Sequence, residues 1–193
     1  SVVRKCDGVE HIWQADSAVW GYHAPILFPH AGKLVDGTLH AKGRDYASGQ
    51  HGFARLMEHD LVKQTATTLV MELRSNPETL ANFPYEFRLI STFTLEGDAL
   101  HHTLTVVNRD SDVLPFGIGY HPAFAIPFDS EHTATDYELR FNKMESPLCL
   151  SCQPNGLLRG KFYYLGTNID RIPIDDKLFE IDSHCMANLK STT

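Results

Sequence analysis

Eleven histidines are spread over 193 residues, and two of them stand in settings that suit proton transfer. One lies in Gln50-His51-Gly52-Phe53-Ala54-Arg55, the other in Phe116-Gly117-Ile118-Gly119-Tyr120-His121-Pro122-Ala123-Phe124. An unperturbed imidazole titrates near pH ~6.5, so it is the side chain best matched to moving protons at neutral pH. Glycine beside each histidine lets backbone approach a bound molecule closely. The residue before a proline is pushed toward an extended shape, so His121 is expected to project from a strand or its end. Aromatic neighbours next to a polar tip suit a wall that faces a sugar ring. A third stretch, Trp20-Gly21-Tyr22-His23-Ala24-Pro25-Ile26-Leu27-Phe28-Pro29-His30-Ala31-Gly32-Lys33-Leu34, is apolar and rich in Gly and Pro. It reads either as a core strand with tight corners or as a pocket rim with Lys33 at the mouth.

The other histidines carry less. His11, His23, His40, His59 and His132 sit in polar or turn-like contexts. His101 and His102 are consecutive in a strand-like run, so they point to opposite faces and cannot share one metal. No HxH or HExxH spacing occurs, and no metal is expected. Cys149-Leu150-Ser151-Cys152 is a lone CxxC; with Cys6 and Cys185 it reads as reduced thiols of a cytoplasmic protein. No Gly-x-Gly-x-x-Gly follows a strand, so no dinucleotide cofactor is expected.

The elements that must position these histidines are strands. Residues 67–74 are β-rich and nearly alternating. Residues 85–95 alternate with Tyr85, Phe87, Leu89 and then Phe93, Leu95 on one face. Residues 100–108 follow the turn Glu96-Gly97-Asp98-Ala99, which predicts an antiparallel hairpin. Further short strands are expected over 114–120, 137–141, 161–165 and 178–184. One short helix is expected, with Asn76 as cap, Pro77 in its first turn and Pro84 ending it. Many short strands with Gly/Pro turns and almost no helix make an all-β sandwich or barrel. No linker, repeat or low-complexity segment divides the chain, so 1–193 reads as a single domain.

Composition removes several function classes. Lys and Arg total 17 against 24 Asp and Glu, a net charge of −7, and 42% of residues are hydrophobic. A chain this long can bury roughly 70% of its unfolded surface, so a real core is within reach and disorder is excluded for the whole. The acidic balance and the lack of a Lys/Arg run exclude a nucleic-acid partner. No uncharged apolar stretch of about 18 residues exists, so no helical membrane span is expected. The chain opens Ser1-Val2-Val3 without Met, and closes on a strand-like Asn188-Leu189-Lys190; both ends read as cut edges.

Together, Trp20…Ala24-Pro25-Ile26-Leu27-Phe28-Pro29…Gly32-Lys33-Leu34, His51-Gly52-Phe53-Ala54-Arg55, Asn82-Phe83-Pro84-Tyr85 and Pro115 to Phe124 resemble the aldose 1-epimerase (galactose mutarotase) family. The likeness is greatest to its bacterial branch of unassigned substrate, which Leu178-Phe179-Glu180-Ile181-Asp182 also fits, and it spans nearly the whole chain. The resemblance implies a large antiparallel β-sandwich of the galactose mutarotase-like type, incomplete in this chain, which would lack an N-terminal strand and the C-terminal part. It implies an isomerase without metal or organic cofactor that interconverts the α and β anomers of a hexose. His121 matches the general acid, and His51 the histidine that helps hold the ring oxygen. Asp182 is implied to contact sugar hydroxyls, and Arg55 to contact substrate. Lys33 stands where many members carry Arg; a lysine is a point donor and cannot fork onto two oxygens. The general base of the family is a glutamate with no match in this chain. Three alternatives stay open: a carbohydrate-binding protein of the same fold without catalysis, a hexose-6-phosphate 1-epimerase using Arg55, Lys33 and Arg44 as cations, and a metal-dependent cupin-type barrel. The expected partner is a small sugar, with no membrane contact and an oligomeric state left open.

Overall fold

The structure is a computed structural model that describes residues 1–181 and 183–192. Its contacts group the residues into two units, Pro25–His121 and the remainder, Ser1–Ala24 with the chain from Pro122 onward. Both units are built from antiparallel strand pairs, with a single α-helix of six residues and short 3-10 turns among the described residues. The fold is all-β. No described helix is long and apolar enough to cross a membrane.

The unit Pro25–His121 holds both histidine motifs. In chain order it contains β1 (Ile26–Leu27), β2 (Thr38–Ala41), β3 (Arg44–Ala47), β4 (Asp60–Gln64), β5 (Thr68–Arg74), the helix α1 (Pro77–Asn82), β6 (Phe87–Glu96), β7 (Ala99–Asn108) and β8 (Gly119–Tyr120). Strands β4 to β7 form one meander in sequence order. Alternation along β5 and β6 explains the sheet. Leu73 and Leu89 face each other in register and are buried, as is Phe87 two residues before Leu89. On the opposite face Arg74 is paired directly with Arg88. That like-charge pair is tolerated because Glu72, only 2% exposed, lies between the two guanidiniums and bonds to both.

The expected hairpin is present. Glu96 and Ala99 are themselves paired, so the turn is the two residues Gly97-Asp98, shorter than the expected four; Gly97 takes φ +62° to allow it. A second hairpin, β2–β3, turns through Lys42 and Gly43, both with positive φ. Helix α1 starts as expected. Asn76 Oδ1 accepts the Thr79 N–H at 3.0 Å, and Thr79 Oγ1 accepts the Asn76 N–H at 2.9 Å. Phe28, fully buried, centres the core, its ring 5.0 Å from Phe87, 6.0 Å from Phe83 and 6.2 Å from Phe53. Ala41, Ala54, Leu73, Tyr85, Leu89 and Leu114 also belong to the cluster. Of the strand expected over 114–120, only Gly119–Tyr120 is a strand, because Leu114 turns into this core and Pro115 has no N–H for a ladder.

The second unit contains β9 (Glu138–Glu145), β10 (Leu148–Leu150), β11 (Phe162–Tyr164), β12 (Ile169–Pro173) and β13 (Cys185–Ala187). Strands β9 and β12 pair, and β10 lies between β11 and β13. Glu145, 3% exposed, accepts the backbone N–H groups of Lys190 and Ser191 at 2.8 and 2.6 Å and so ties that segment to β9. The strand expected over 178–184 is a correction. Asp175 Oδ1 accepts the Leu178 N–H at 2.8 Å and starts a 3-10 turn over Asp176–Phe179; the strand begins later, at Cys185.

Candidate active site

One extended segment, Pro25 to Gly32, carries both histidine motifs. On one side the Phe28 carbonyl accepts the N–H groups of Phe53 and Ala54 at 3.0 and 3.2 Å, and Phe28 bridges to Gly52 in parallel. On the other side the Pro29 carbonyl accepts the Gly117 N–H at 2.7 Å, Ile26 pairs with Tyr120, and the His121 N–H reaches the Pro25 carbonyl at 3.1 Å. Residues 70 positions apart in the chain are thereby brought together. The His51 and His121 ring centroids lie 5.6 Å apart at 78°, edge toward face. Gly52 is required by this construction: it has φ +69°, and a Cβ there would lie 2.2 Å from the Phe28 carbonyl oxygen.

His51 is held in one tautomer. It adopts φ +67°, a region that L-residues enter rarely and that recurs at functional sites. Its backbone N–H bonds to the Gly32 carbonyl at 2.8 Å, and its Nδ1 accepts the Gly32 N–H at 2.9 Å. An imidazolium has no lone pair to accept that bond, so the neutral ring is favoured, with its proton on Nε2. Burial, then the charges of Arg55, His121 and His30, hold the His51 imidazole below its ordinary pKa in the same sense. The Gln50 amide nitrogen lies 3.2 Å from Nε2. Two N–H groups cannot bond, so the amide meets this proton with its oxygen after a half-turn. His51 therefore presents a neutral N–H donor.

The surrounding groups are cationic or neutral. A 3-10 turn over Ala54–Leu56 places Arg55 one helical turn beyond His51, and its Nη2 donates to the Gln50 carbonyl at 3.0 Å. His30 Nε2 lies 2.7 Å from Ser48 Oγ, and burial pushes this imidazole down in pKa. Of the five residues singled out in the sequence, the structure brings His51, His121 and Arg55 into one neighbourhood. Lys33 is exposed beside Gly32. Asp182 lies outside the described residues. Sequence reasoning missed the Gly32 amide, His30 and the environment of Tyr120; only the Gly-Lys pair at 32–33 hinted at the first.

The aldose 1-epimerase family profile matches residues 2–163. The chain belongs to the aldose 1-epimerase family. Among the relatives of this aldose 1-epimerase homologue is LacX of Lactococcus lactis subsp. lactis, in chromosomal and plasmid forms, 32% identical over 98% of this chain and 66% of LacX. A galactose mutarotase related enzyme from Lactobacillus acidophilus superposes with a TM-score of 0.85 at 29% identity, covering 91% of this chain and 58% of that one. A galactose mutarotase-like protein from Lactobacillus casei gives 0.81 at 31% identity, covering 89% and 59%. The fold is thus galactose mutarotase-like. This epimerase-family chain spans just under two thirds of the length of the LacX proteins.

Proposed function

We propose that the protein to which this chain belongs is an aldose 1-epimerase acting on a hexose, with His121 as general acid and His51 as a fixed donor to the same ring oxygen. A base takes the proton from the C1 hydroxyl while His121 gives one to the ring oxygen. The bond from C1 to that oxygen breaks, leaving the open-chain aldehyde. Rotation about C1–C2 turns the other carbonyl face inward, and the transfers run in reverse with inverted configuration at C1. The ring oxygen becomes more basic as its bond to C1 weakens. Two imidazole groups aimed at it therefore stabilise the transition state more than the bound sugar. Arg55, Lys33 and Asp182 take the role of hydroxyl contacts, and the base is the glutamate that the family resemblance implies.

The observation that supports this reading is the 5.6 Å approach of two imidazoles carried by separate motifs, one of them locked as an Nε2–H donor. Replacing His121 by Ala should abolish mutarotation and leave the far-ultraviolet circular dichroism unchanged. Polarimetry on freshly dissolved α-glucose, α-galactose and their 6-phosphates is the test; undiminished turnover by the variant rules the acid assignment out. A non-catalytic sugar-binding reading has one observation in its favour. The charges that act on His51 include those of Arg55, His121 and His30, cations that can hold a sugar's oxygens without reacting. Titration calorimetry showing sugar binding with no anomer exchange would select it.

A further inference from the structure

We infer that Tyr120 and His102 form a brace that sets the direction of the His121 imidazole, making both positioning residues for the proposed proton transfer. This rests on the epimerase reading of His121. His121 directly follows a short strand: β8 is Gly119–Tyr120, held by two register pairs to β1, and the His121 N–H continues the pairing to the Pro25 carbonyl at 3.1 Å. With the Gly117 N–H bond to the Pro29 carbonyl at 2.7 Å, these bonds fix the backbone around His121, and the Tyr120 side chain adds an anchor beyond them. Successive residues of an extended chain point to opposite faces, so an anchor on the Tyr120 side chain constrains the backbone from which the His121 side chain leaves on the other.

Tyr120 is fixed by two contacts although its side of the strand is open. Half of its surface is exposed, so burial alone does not hold it. Its hydroxyl donates to the His102 carbonyl at 2.6 Å, and its ring meets the His102 ring edge-on at 4.9 Å and 64°. His102 lies in β7, an edge strand of the four-stranded sheet among the described residues, and the bond occupies a carbonyl of that strand. His102 is itself immobilised. Its ring stacks on Phe93, the residue paired with it in β6, at 3.9 Å and 17°. Its Nε2 lies 2.7 Å from Ser91 Oγ, and Ser91 is 1% exposed. A chain of contacts thus runs from the sheet interior through Ser91 and His102 to Tyr120, the residue next to His121. A phenylalanine at 120 would cover similar apolar area, so what the hydroxyl adds is direction.

The test uses Tyr120→Phe and His102→Gln in the protein that carries the full catalytic set, with α-galactose and α-glucose as probes. Tyr120→Phe deletes one hydroxyl, so folding should survive. The expected result is a fall in kcat on the order of 10-fold with KM changed less than about twofold, since misplacing a proton donor costs turnover more than binding. The imidazole nuclear magnetic resonance signals of His121 should shift and broaden in both variants, a readout that needs no turnover. Wild-type kcat together with wild-type His121 signals in Tyr120→Phe overturns the brace. If His121→Ala leaves turnover intact, the epimerase reading fails, and the His121 spectrum still decides whether Tyr120 and His102 orient that ring.

Discussion

Protonating His51 would remove the lone pair that receives the Gly32 N–H at 2.9 Å. That bond and the ring's burial both act against the charged form, as do Arg55, His121 and His30. A donor that must stay neutral behaves differently from an acid that must lose its proton. The acid limb of kcat/KM is therefore expected below the ordinary imidazole value of about 6.5. Nitrogen-15 spectra of the imidazoles should show His51 protonated at Nε2 from pH 8 down to that limb, and a ring protonated at Nδ1 would overturn the assignment. Replacing His51 by Ala should lower kcat on the order of 10²–10³-fold, the usual loss for one preorganised donor to a developing oxyanion. Gly52→Ala tests the same motif through the backbone. The Phe28 carbonyl has no room to retreat from a Cβ at 2.2 Å, and the residue must keep φ +69°. Strain and clash together should destabilise the protein by at least about 2 kcal/mol, read as a lower urea midpoint.

At the scale of elements, the Pro25–Gly32 segment does two jobs that compete for the same residues. Its backbone ties the two histidine motifs together, and Phe28 supplies the centre of the aromatic core. Phe28→Ala should therefore cost about 3–5 kcal/mol and also loosen the His51–His121 geometry. A thermal melt and the His51 spectrum are expected to change together; an unchanged spectrum in a destabilised variant would separate the two jobs. Hairpin β6–β7 was legible because its alternation is long and a Gly-Asp turn interrupts it. The β2–β3 hairpin was not, since its turn uses Lys42 in the left-handed region, where lysine is uncommon. Leu178-Phe179-Glu180-Ile181 reads as a strand by pattern, yet one carboxylate cap at Asp175 bends its start into a 3-10 turn. In the site, His51 and His121 were legible from their Gly and Pro neighbours. The Gly32 amide and the Tyr120–His102 contact were not, because register between distant strands places them and no local spacing encodes it.

For the molecule as a whole, the charge states of the half-buried imidazoles set how it responds to acid. His30, His51 and His102 lie in the unit Pro25–His121, and burial is the first cause that holds each below its ordinary pKa. In the unfolded chain these rings take up protons near pH 6.5, while in the folded unit they resist until lower pH. The unfolded state thus binds more protons in that window, so stability falls as pH drops below about 6.5 and is restored as pH rises through it. His132, in the other unit, has the opposite sign. Its bond to Asp129 at 2.7 Å raises its pKa, so its contribution is present below about 6.5 and fades above the raised value. Asp110, lowered from 3.8 to about 2 by the N–H groups of Asp112 and Glu86 and by Lys42, contributes stability that is fully present above its ordinary value and is lost progressively as pH falls from there to about 2, outside this window. Between pH 7.5 and 5.5 three depressed imidazoles oppose one raised, exposed one, so the net change is destabilising. Urea unfolding should show a lower midpoint at pH 5.5 than at pH 7.5, and His102→Gln should shrink the difference by removing one titrating ring. An equal midpoint at both values in a His132→Asn variant, in which the opposing contribution is gone, would mean that the three depressed rings titrate alike in the folded and unfolded states, and the neutral-donor role of His51 would lose its electrostatic basis.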